Sequence, residues 1–205
     1  MKRITAIVAL MLCMCMVSEA KLVLSSLCSD GMVLQQNDNA TVWGTADPGS
    51  QITVTPSWSG RSYSAKAGKD GRWTVKVATP QGSYKAYTMT VKGNGETIRI
   101  KDILVGEVWL ASGQSNMEMP MRGFYNCPVE DALEYISAPA ATEKIRMFTV
   151  PVKQSYEPLS EVDSRWQGAE SSTIPDMSAT AYFFARKLNE TLDIPVGIVS
   201  CAYGG

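Results

Sequence analysis

The sequence predicts two regions of different fold class, an antiparallel β-sandwich followed by a parallel α/β sheet. From Ala40 to Ile100, short β-branched and aromatic segments alternate with turn residues, a pattern typical of antiparallel strands. After Lys101 and Asp102, longer apolar runs flank a segment of helical periodicity, which favours a parallel sheet covered by helices. We therefore expect a β-sandwich domain over residues 21–101 and an α/β domain over residues 102–205.

The strands of the first region are predicted from alternating polarity and are bounded by turn residues. Asp70-Gly71 and Asn94-Gly95 are dipeptides that tight hairpins prefer, because their central residues often need positive φ. Asp47-Pro48-Gly49 marks a further turn. About 80 residues is an ordinary size for one small domain. Five strands are expected: Thr41–Trp43, Gln51–Val54, Trp73–Val77, Tyr87–Val91 and Thr97–Ile100.

The second region contains three apolar runs typical of buried strands, Ile103–Ala111, Lys144–Val150 and Val196–Ala202. Ser178 opens a predicted helix that Asp193-Ile194-Pro195 ends. The stretch 151–176 has no clear period and is predicted to be a long loop, which is usually functional or partly structured. The helix residues expected to face the core, from their spacing, are Ala181, Phe184, Ala185, Leu188 and Leu192.

Residues 1–20 have the features of a secretory signal peptide. Lys2 and Arg3 precede a mostly apolar run from Ile4 to Val17, and Ser18-Glu19-Ala20 supplies small residues at the cleavage site. The run is too short to span a bilayer, so no membrane contact is expected after cleavage. We expect the mature protein to begin at Lys21 and to be exported to the periplasm or outside the cell.

The charge balance and the composition exclude several function classes. With 19 basic and 20 acidic residues, the net charge of −1 gives no electrostatic footprint for nucleic acid or anionic lipid. The chain has no histidine and no close cysteine pair after residue 20, so neither zinc nor any other cofactor is expected. Cys28, Cys127 and Cys201 either form one disulfide with an odd thiol or are small buried apolar residues.

Ser115 and the pair Gly204-Gly205 are the candidate functional residues. In parallel α/β sheets, ligands bind beyond the carboxyl ends of the strands. Ser115 comes just after the first predicted strand of the α/β region, and the glycine pair comes just after the last one. A serine hydrolase needs this arrangement, with the nucleophile at a strand-to-helix turn and backbone N–H groups nearby to hold an oxyanion.

The same residues also have an ordinary structural interpretation. Ser115 and Glu118 fit the capping box, in which a hydroxyl and a carboxylate satisfy free N–H groups at a helix start. Gly204-Gly205 by itself is a common turn. Local spacing alone favours the cap over the nucleophile, because capping boxes are far more frequent than active sites.

The wider sequence around Ser115 resembles a known family. Gly106–Glu118, with the sequence GEVWLASGQSNME, closely resembles the nucleophile block of the sialate O-acetylesterase family, a branch of the SGNH hydrolases. Met32–Gln36 and Val42–Gly44 look like the start of that family's N-terminal β-domain. The segments similar to its helix and its second glycine-bearing block are Ser178–Phe184, Pro195–Ile198 and Tyr203–Gly205.

The resemblance implies a fold, an activity and a set of site residues. The fold would be a β-sandwich followed by the N-terminal, incomplete part of an SGNH-hydrolase-like, flavodoxin-like α/β domain. The substrate would be an O-acetylated carbohydrate, sialic acid or a similar sugar. Ser115 would be the nucleophile, and its own N–H with that of Gly204 or Gly205 would hold the oxyanion. The residues that would shape the nucleophile turn are Gln114, Asn116 and Glu118.

The base that such a site needs is missing from the chain. The family completes its site with an asparagine-bearing block and an Asp-x-x-His block, and neither is present in the 205 residues. Because a serine hydroxyl is weak until a base takes its proton, we expect the chain as given to be an inactive portion of the enzyme. The alternative is a non-catalytic glycan-binding protein with a degenerate hydrolase domain. Its sugar platform would consist of aromatic residues that are more often core, Trp43, Trp58, Tyr63 and Trp73.

Overall fold

The structure, a computed structural model, describes residues 21–137 and 144–204, so the predicted signal peptide and Gly205 lie outside it. No helix of the described part is long and apolar enough to cross a membrane. The helices are α1 (Ser115–Glu118), α2 (Ala132–Ser137) and α3 (Ala179–Leu192), with a 3-10 turn at Ile174–Asp176. The strands are β1 (Val23–Leu24), β2 (Val33–Gln35), β3 (Asn39–Thr45), β4 (Gln51–Pro56), β5 (Tyr63–Lys66), β6 (Arg72–Ala78), β7 (Ser83–Gly93), β8 (Glu96–Gly113), β9 (Ile145–Thr149), β10 (Trp166–Gly168) and β11 (Val196–Ala202).

The described strands form two sheets, one antiparallel and one of mixed direction. One sheet has the order β1-β3-β6, and the other has the order β10-β9-β11-β8-β7-β4-β5, with β2 also pairing with β8. Strand β11 runs parallel to both β8 and β9, and β2 runs parallel to β8, whereas the remaining pairs are antiparallel. Each strand predicted from the sequence corresponds to an observed one, and β10 lies within the predicted long loop.

Strand β8 belongs to both predicted regions. Its first part pairs antiparallel with β7 as far as Val105, and residues 107–113 pair parallel with β11. The strand therefore runs through the predicted boundary at Lys101 and Asp102, where Asp102 takes a left-handed backbone with φ 54°. The two predicted strands Thr97–Ile100 and Ile103–Ala111 are thus one strand of 18 residues.

The order of the parallel strands differs from the expected flavodoxin-like order. That order places the first strand between the second and the third. Here β11, the third in the chain, lies between β9 and β8. The other side of β8 is approached by β2, and Gln35 Oε1 accepts the Val108 N–H at 2.9 Å. Beyond that contact, residues 109–113 have no strand on this side in the described chain, and Leu110 is 70% exposed.

Helix α3 begins and ends where the sequence predicts, but its buried face is rotated. Ser178 is the N-cap, and its Oγ accepts the Ala181 N–H at 3.3 Å. Asp193 ends the helix with a left-handed backbone. Phe184 and Leu192 were expected to be core, and both are exposed. The helix is rotated so that the Tyr182 ring is fully buried. Phe184 therefore lies at the edge of the sheet, where its ring contacts Trp109. The buried residues are Ala179, Ala181, Tyr182, Ala185 and Asn189.

Two hydrophobic clusters cover the two faces of the parallel strands. The first includes residues of both sheets, among them Trp73 of β6, Val91 of β7 and Phe148 of β9. The second lies between the strands and α3 and contains Met147 and Tyr182. Because neighbouring residues of a strand face opposite sides, β9 contributes Phe148 to one cluster and Met147 to the other. The carboxyl ends of β8 and β11 are therefore set on a sheet that is packed on both faces.

Candidate active site

Ser115 lies at the strand-to-helix turn that the sequence predicts. Strand β8 ends at Gly113 and α1 begins at Ser115, so one residue separates them. The Gly113 carbonyl accepts the N–H of Tyr203 at 3.0 Å, which keeps the end of β11 level with the end of β8. Ser115 and Gly204 thus meet at one edge of the sheet, as expected for strands that run in parallel.

The backbone of Gly204 packs directly on the start of α1. A Cβ atom added to Gly204 would lie 3.3 Å from both the Cα and the N of Ser115. It would also lie 2.5 Å from Glu118 Oε2, which is closer than real Cβ contacts allow. The absence of a side chain at Gly204 is what permits this approach.

The capping-box interpretation of Ser115 and Glu118 is wrong in this structure. Ser115 is the first residue of the helix, Gln114 is the N-cap, and no side chain makes a capping hydrogen bond. The Glu118 carboxylate turns to the neighbouring strand, where its Oε2 accepts the Gly204 N–H at 2.8 Å. Ser115 is exposed, and within residues 21–137 and 144–204 its hydroxyl has no hydrogen-bond partner. It is therefore free for chemistry.

The backbone donors near Ser115 are unequally available. The Gly204 N–H is engaged by Glu118, so it is not free to bind an oxyanion while that contact holds. The Gln114 carbonyl accepts the N–H groups of Met117 and Glu118 at 2.8 and 2.9 Å. The N–H of Ser115 has no partner in the described chain, which suits the donor role implied for it. The oxyanion roles of Ser115, Gly204 and Gly205 stay predictions.

The first turn of α3 holds helix α1, which begins at Ser115, in place. Ser178 Oγ donates to the Met117 carbonyl at 2.6 Å, and Thr180 Oγ1 donates to the Asn116 carbonyl at 2.8 Å. The Ala179 N–H donates to the Met119 carbonyl at 2.8 Å. From the sequence, Ser178 was assigned only as a helix start, and its contact with Met117 was missed. The signal that could have indicated this contact is the presence of two hydroxyl residues, Ser178 and Thr180, at one helix start, where a cap needs only one.

The three cysteines of the described chain are free thiols. Cys28 is buried, and burial raises the pKa of its thiol to about 12. Cys127 and Cys201 are exposed. The expected alternative of small buried residues therefore fits Cys28 alone, and the described chain has no disulfide. Among the described residues, no three Cys, Asp or Glu side chains form a group that could hold a metal ion.

The aromatic residues considered as a sugar platform belong largely to the core. Trp73 is only 2% exposed, so its ring offers no stacking surface. Trp43, Trp58 and Tyr63 are partly buried and pack against the same hydrophobic cluster. The core interpretation of these side chains fits the structure better than a platform does.

Comparison with known proteins relates the chain to acetylesterases. No protein-family model matches it. It is 33% identical over 190 residues to a sialate O-acetylesterase of Mus musculus, covering 85% of this chain and 34% of that protein. It is 32% identical over 198 residues to a sialate O-acetylesterase of Homo sapiens, covering 88% and 37%. A crystal structure of a carbohydrate acetylesterase from Xanthomonas citri matches with a TM-score of 0.80 and 31% identity, covering 90% of this chain and 41% of that one.

Over 90% of its length, the chain thus shares its fold with a carbohydrate acetylesterase. More particularly, it is a homologue of the sialate O-acetylesterases, and the resemblance identified from Gly106–Glu118 is confirmed. The chain spans about a third of the length of the curated relatives it matches.

Proposed function

We propose that this chain is the nucleophile-bearing part of a serine esterase that removes O-acetyl groups from sialic acid or related acetylated carbohydrates. One observation carries the proposal. Ser115 is exposed at the end of β8 and lies against Gly204 at the end of β11, in a homologue of acetylesterases. The position of Ser115 against Gly204 and the homology to acetylesterases each leave open whether Ser115 is a nucleophile or a turn residue. Together they favour the nucleophile.

In the proposed reaction, Ser115 Oγ attacks the acetyl carbonyl carbon while a base removes the hydroxyl proton. The carbonyl oxygen becomes an oxyanion, held by backbone N–H groups at the strand ends, with Ser115 N–H as one donor. The sugar oxygen leaves with a proton, and an acetyl-enzyme remains. Water then attacks this ester, which releases acetate and restores the Ser115 hydroxyl.

The base lies outside this chain in our proposal. The 205 residues contain no histidine, and the relatives are about three times as long as the region they share with it. We propose that an Asp and a His in the remaining part of the protein complete the site. The chain by itself is then catalytically incomplete.

The finer features of the architecture belong to the same proposal. We assign β3 and β6, with β4 and β7, to the predicted β-sandwich, because Trp73 and Val91 share one core cluster across the two sheets. The parallel strands with α3 are assigned to the first part of an SGNH-type domain. The signal sequence supports export to the periplasm or outside the cell, where a glycan substrate would be met.

The test compares the complete reading frame with residues 21–205. We expect the complete protein to release acetate from an aryl acetate and from O-acetylated sialic acid. Ser115→Ala should reduce that rate at least about 1000-fold, because a triad loses its covalent route with the nucleophile. Ser112→Ala, at an exposed serine near the end of the same strand, is the matched control and should keep the activity.

Three outcomes oppose parts of the proposal. Hydrolysis that survives Ser115→Ala would remove Ser115 as the nucleophile. Ser115-dependent hydrolysis by residues 21–205 alone, or labelling of Ser115 by a fluorophosphonate at an active-enzyme rate, would mean that the base lies within this chain. A reading frame that stops at codon 205 would contradict a base supplied from beyond it.

A further inference from the structure

We propose that Glu118 is a positioning residue of this site, whose carboxylate holds the Gly204 peptide against the start of the nucleophile helix. The inference rests on the proposed esterase function and adds a role for Glu118 that differs from capping. In this arrangement Gly204 acts by its packing, and its N–H is used for the contact with Glu118.

The contact joins two elements that are distant in sequence. Glu118 is the last residue of α1, and its own N–H donates to the Gln114 carbonyl, so its backbone is fixed within the helix. Its Oε2 lies 2.8 Å from the Gly204 nitrogen, 86 residues further along the chain. The carboxylate is partly shielded from water. A hydrogen bond from N–H to a carboxylate is stronger than one between neutral groups, so it can hold the end of β11 to the helix in addition to the packing of Gly204 on Ser115.

Two neighbouring peptides of the β11 end are held by different partners. The Tyr203 N–H binds the Gly113 carbonyl of β8, and the Gly204 N–H binds the Glu118 carboxylate of α1. The first bond aligns the strands, whereas the second sets the distance from the glycine peptide to Ser115. Without Glu118, the Gly204 peptide would be free to rotate away while the strand pairing remained. A displacement of about 1 Å at a reacting centre can reduce a rate about 100-fold.

A second role for Glu118, as an acid or base in the reaction, makes a different prediction. Glutamine keeps an oxygen that can accept the Gly204 N–H, but it cannot exchange a proton. A positioning role is therefore largely retained in Glu118→Gln and lost in Glu118→Ala. A proton-transfer role is lost in both variants.

The first experiment follows the Gly204 amide by NMR in the ¹⁵N-labelled chain, which needs no catalytic activity. We expect Glu118→Ala to move the Gly204 amide proton resonance upfield and to raise its hydrogen-exchange rate at least about 10-fold. The Tyr203 amide, bonded to Gly113, should keep its protection, and Glu118→Gln should stay close to the wild type. Glu134→Ala, at an exposed glutamate of α2, is the control and should change neither amide.

The second experiment measures aryl-acetate hydrolysis in the complete protein. Glu118→Ala should lower kcat about 100-fold with KM within about twofold, and Glu118→Gln should restore most of kcat. An unchanged Gly204 amide in Glu118→Ala would overturn the inference, as would a released amide with an unchanged kcat. Equal loss of kcat in both variants would replace positioning by proton transfer. If no Ser115-dependent hydrolysis is found while the amide responds as expected, the proposed function fails and the Glu118 contact stands, without a catalytic role.

Discussion

Arg146 on β9 binds Asp102 on β8 through both the backbone and the side chain. Its Nη2 lies 2.8 Å from Asp102 Oδ2, and its Nη1 donates to the Asp102 carbonyl and, at 2.7 Å, to the Gly31 carbonyl. The Arg146 side chain is only 11% exposed. One guanidinium therefore joins β9 to the left-handed backbone of β8 at Asp102 and to the segment at Gly31.

Arg146→Ala should destabilise the chain by about 1–3 kcal/mol, because it leaves the partly buried Gly31 carbonyl and the exposed Asp102 carbonyl without their donor. Urea unfolding followed by circular dichroism measures the change. Arg72→Ala is the control, since the Arg72–Asp70 pair is 3.9 Å apart and exposed on both sides. Its cost should stay below about 0.5 kcal/mol. Equal costs for the two variants would show that the Arg146 contacts contribute no more than a surface pair.

The boundary between residues 101 and 102 can be tested with the fragment 21–101. We expect a far-ultraviolet circular dichroism spectrum dominated by β-structure, because this range contains β1 to β7. The fragment should unfold at a lower urea concentration than residues 21–205, since the shared core cluster loses Leu104, Phe148 and Trp166. A helical spectrum would contradict the β assignment.

Substitutions of Ser115 separate catalysis from stability. Because Ser115 makes no capping hydrogen bond, Ser115→Ala should change the free energy of unfolding by less than about 0.5 kcal/mol, below the usual cost of a lost cap. Ser115→Asp should also keep stability, since a carboxylate suits a helix start, while hydrolysis is lost in both variants. Thermal unfolding and acetate release are the two measurements. A loss of 1 kcal/mol or more in Ser115→Ala would restore the cap interpretation.

Gly204→Ala tests the close approach of the glycine backbone to α1. The new methyl group would collide with the Glu118 carboxylate and press on Ser115, so the carboxylate must move and release the Gly204 N–H. We expect kcat of the complete protein to fall about 100-fold with little change in melting temperature, since a flexible side chain absorbs the clash. In Gly168→Ala the added Cβ has no neighbour nearer than 3.7 Å, so this control should retain activity.

The burial of Cys28 predicts selective thiol chemistry. At pH 8 a maleimide should label Cys127 and Cys201 in the folded chain and label Cys28 only after denaturation, as measured by mass spectrometry. Burial raises the pKa of Cys28 from 9.0 to about 12, so the neutral thiol is favoured in the folded state. This contribution to stability is fully present below pH 9 and is lost as the pH rises from 9 toward 12. Labelling of Cys28 at the rate of the other two thiols would contradict its burial.

The sequence alone determined the bounds of α3, the sheet edge that carries the candidate site, and seven strands, namely β3, β4, β6, β7, β8, β9 and β11, whereas β1, β2, β5 and β10 were not predicted. Alternating polarity and turn dipeptides are local properties, so β3, β4, β6 and β7 could be predicted without knowing their neighbours. Ser115 and Gly204 could be placed together because carboxyl ends of parallel strands meet at one edge. Spacing alone favoured a helix cap for Ser115, and only the family resemblance implied that Ser115 is a nucleophile.

Only the tertiary structure decided which partner each polar group takes and which face each apolar residue buries. The sequence predicts that the Glu118 carboxylate accepts an N–H at the start of its own helix. It instead accepts the Gly204 N–H, because packing brings the end of β11 to 2.8 Å from its Oε2. By its spacing in the sequence, Phe184 belongs to the apolar face of α3. In the structure Phe184 is exposed, because the helix is rotated so that Tyr182 is buried. Which donor a side-chain acceptor binds depends on distances between segments that are far apart in the chain. Those distances are set by the packing of sheets and helices, and no local pattern of residues encodes them.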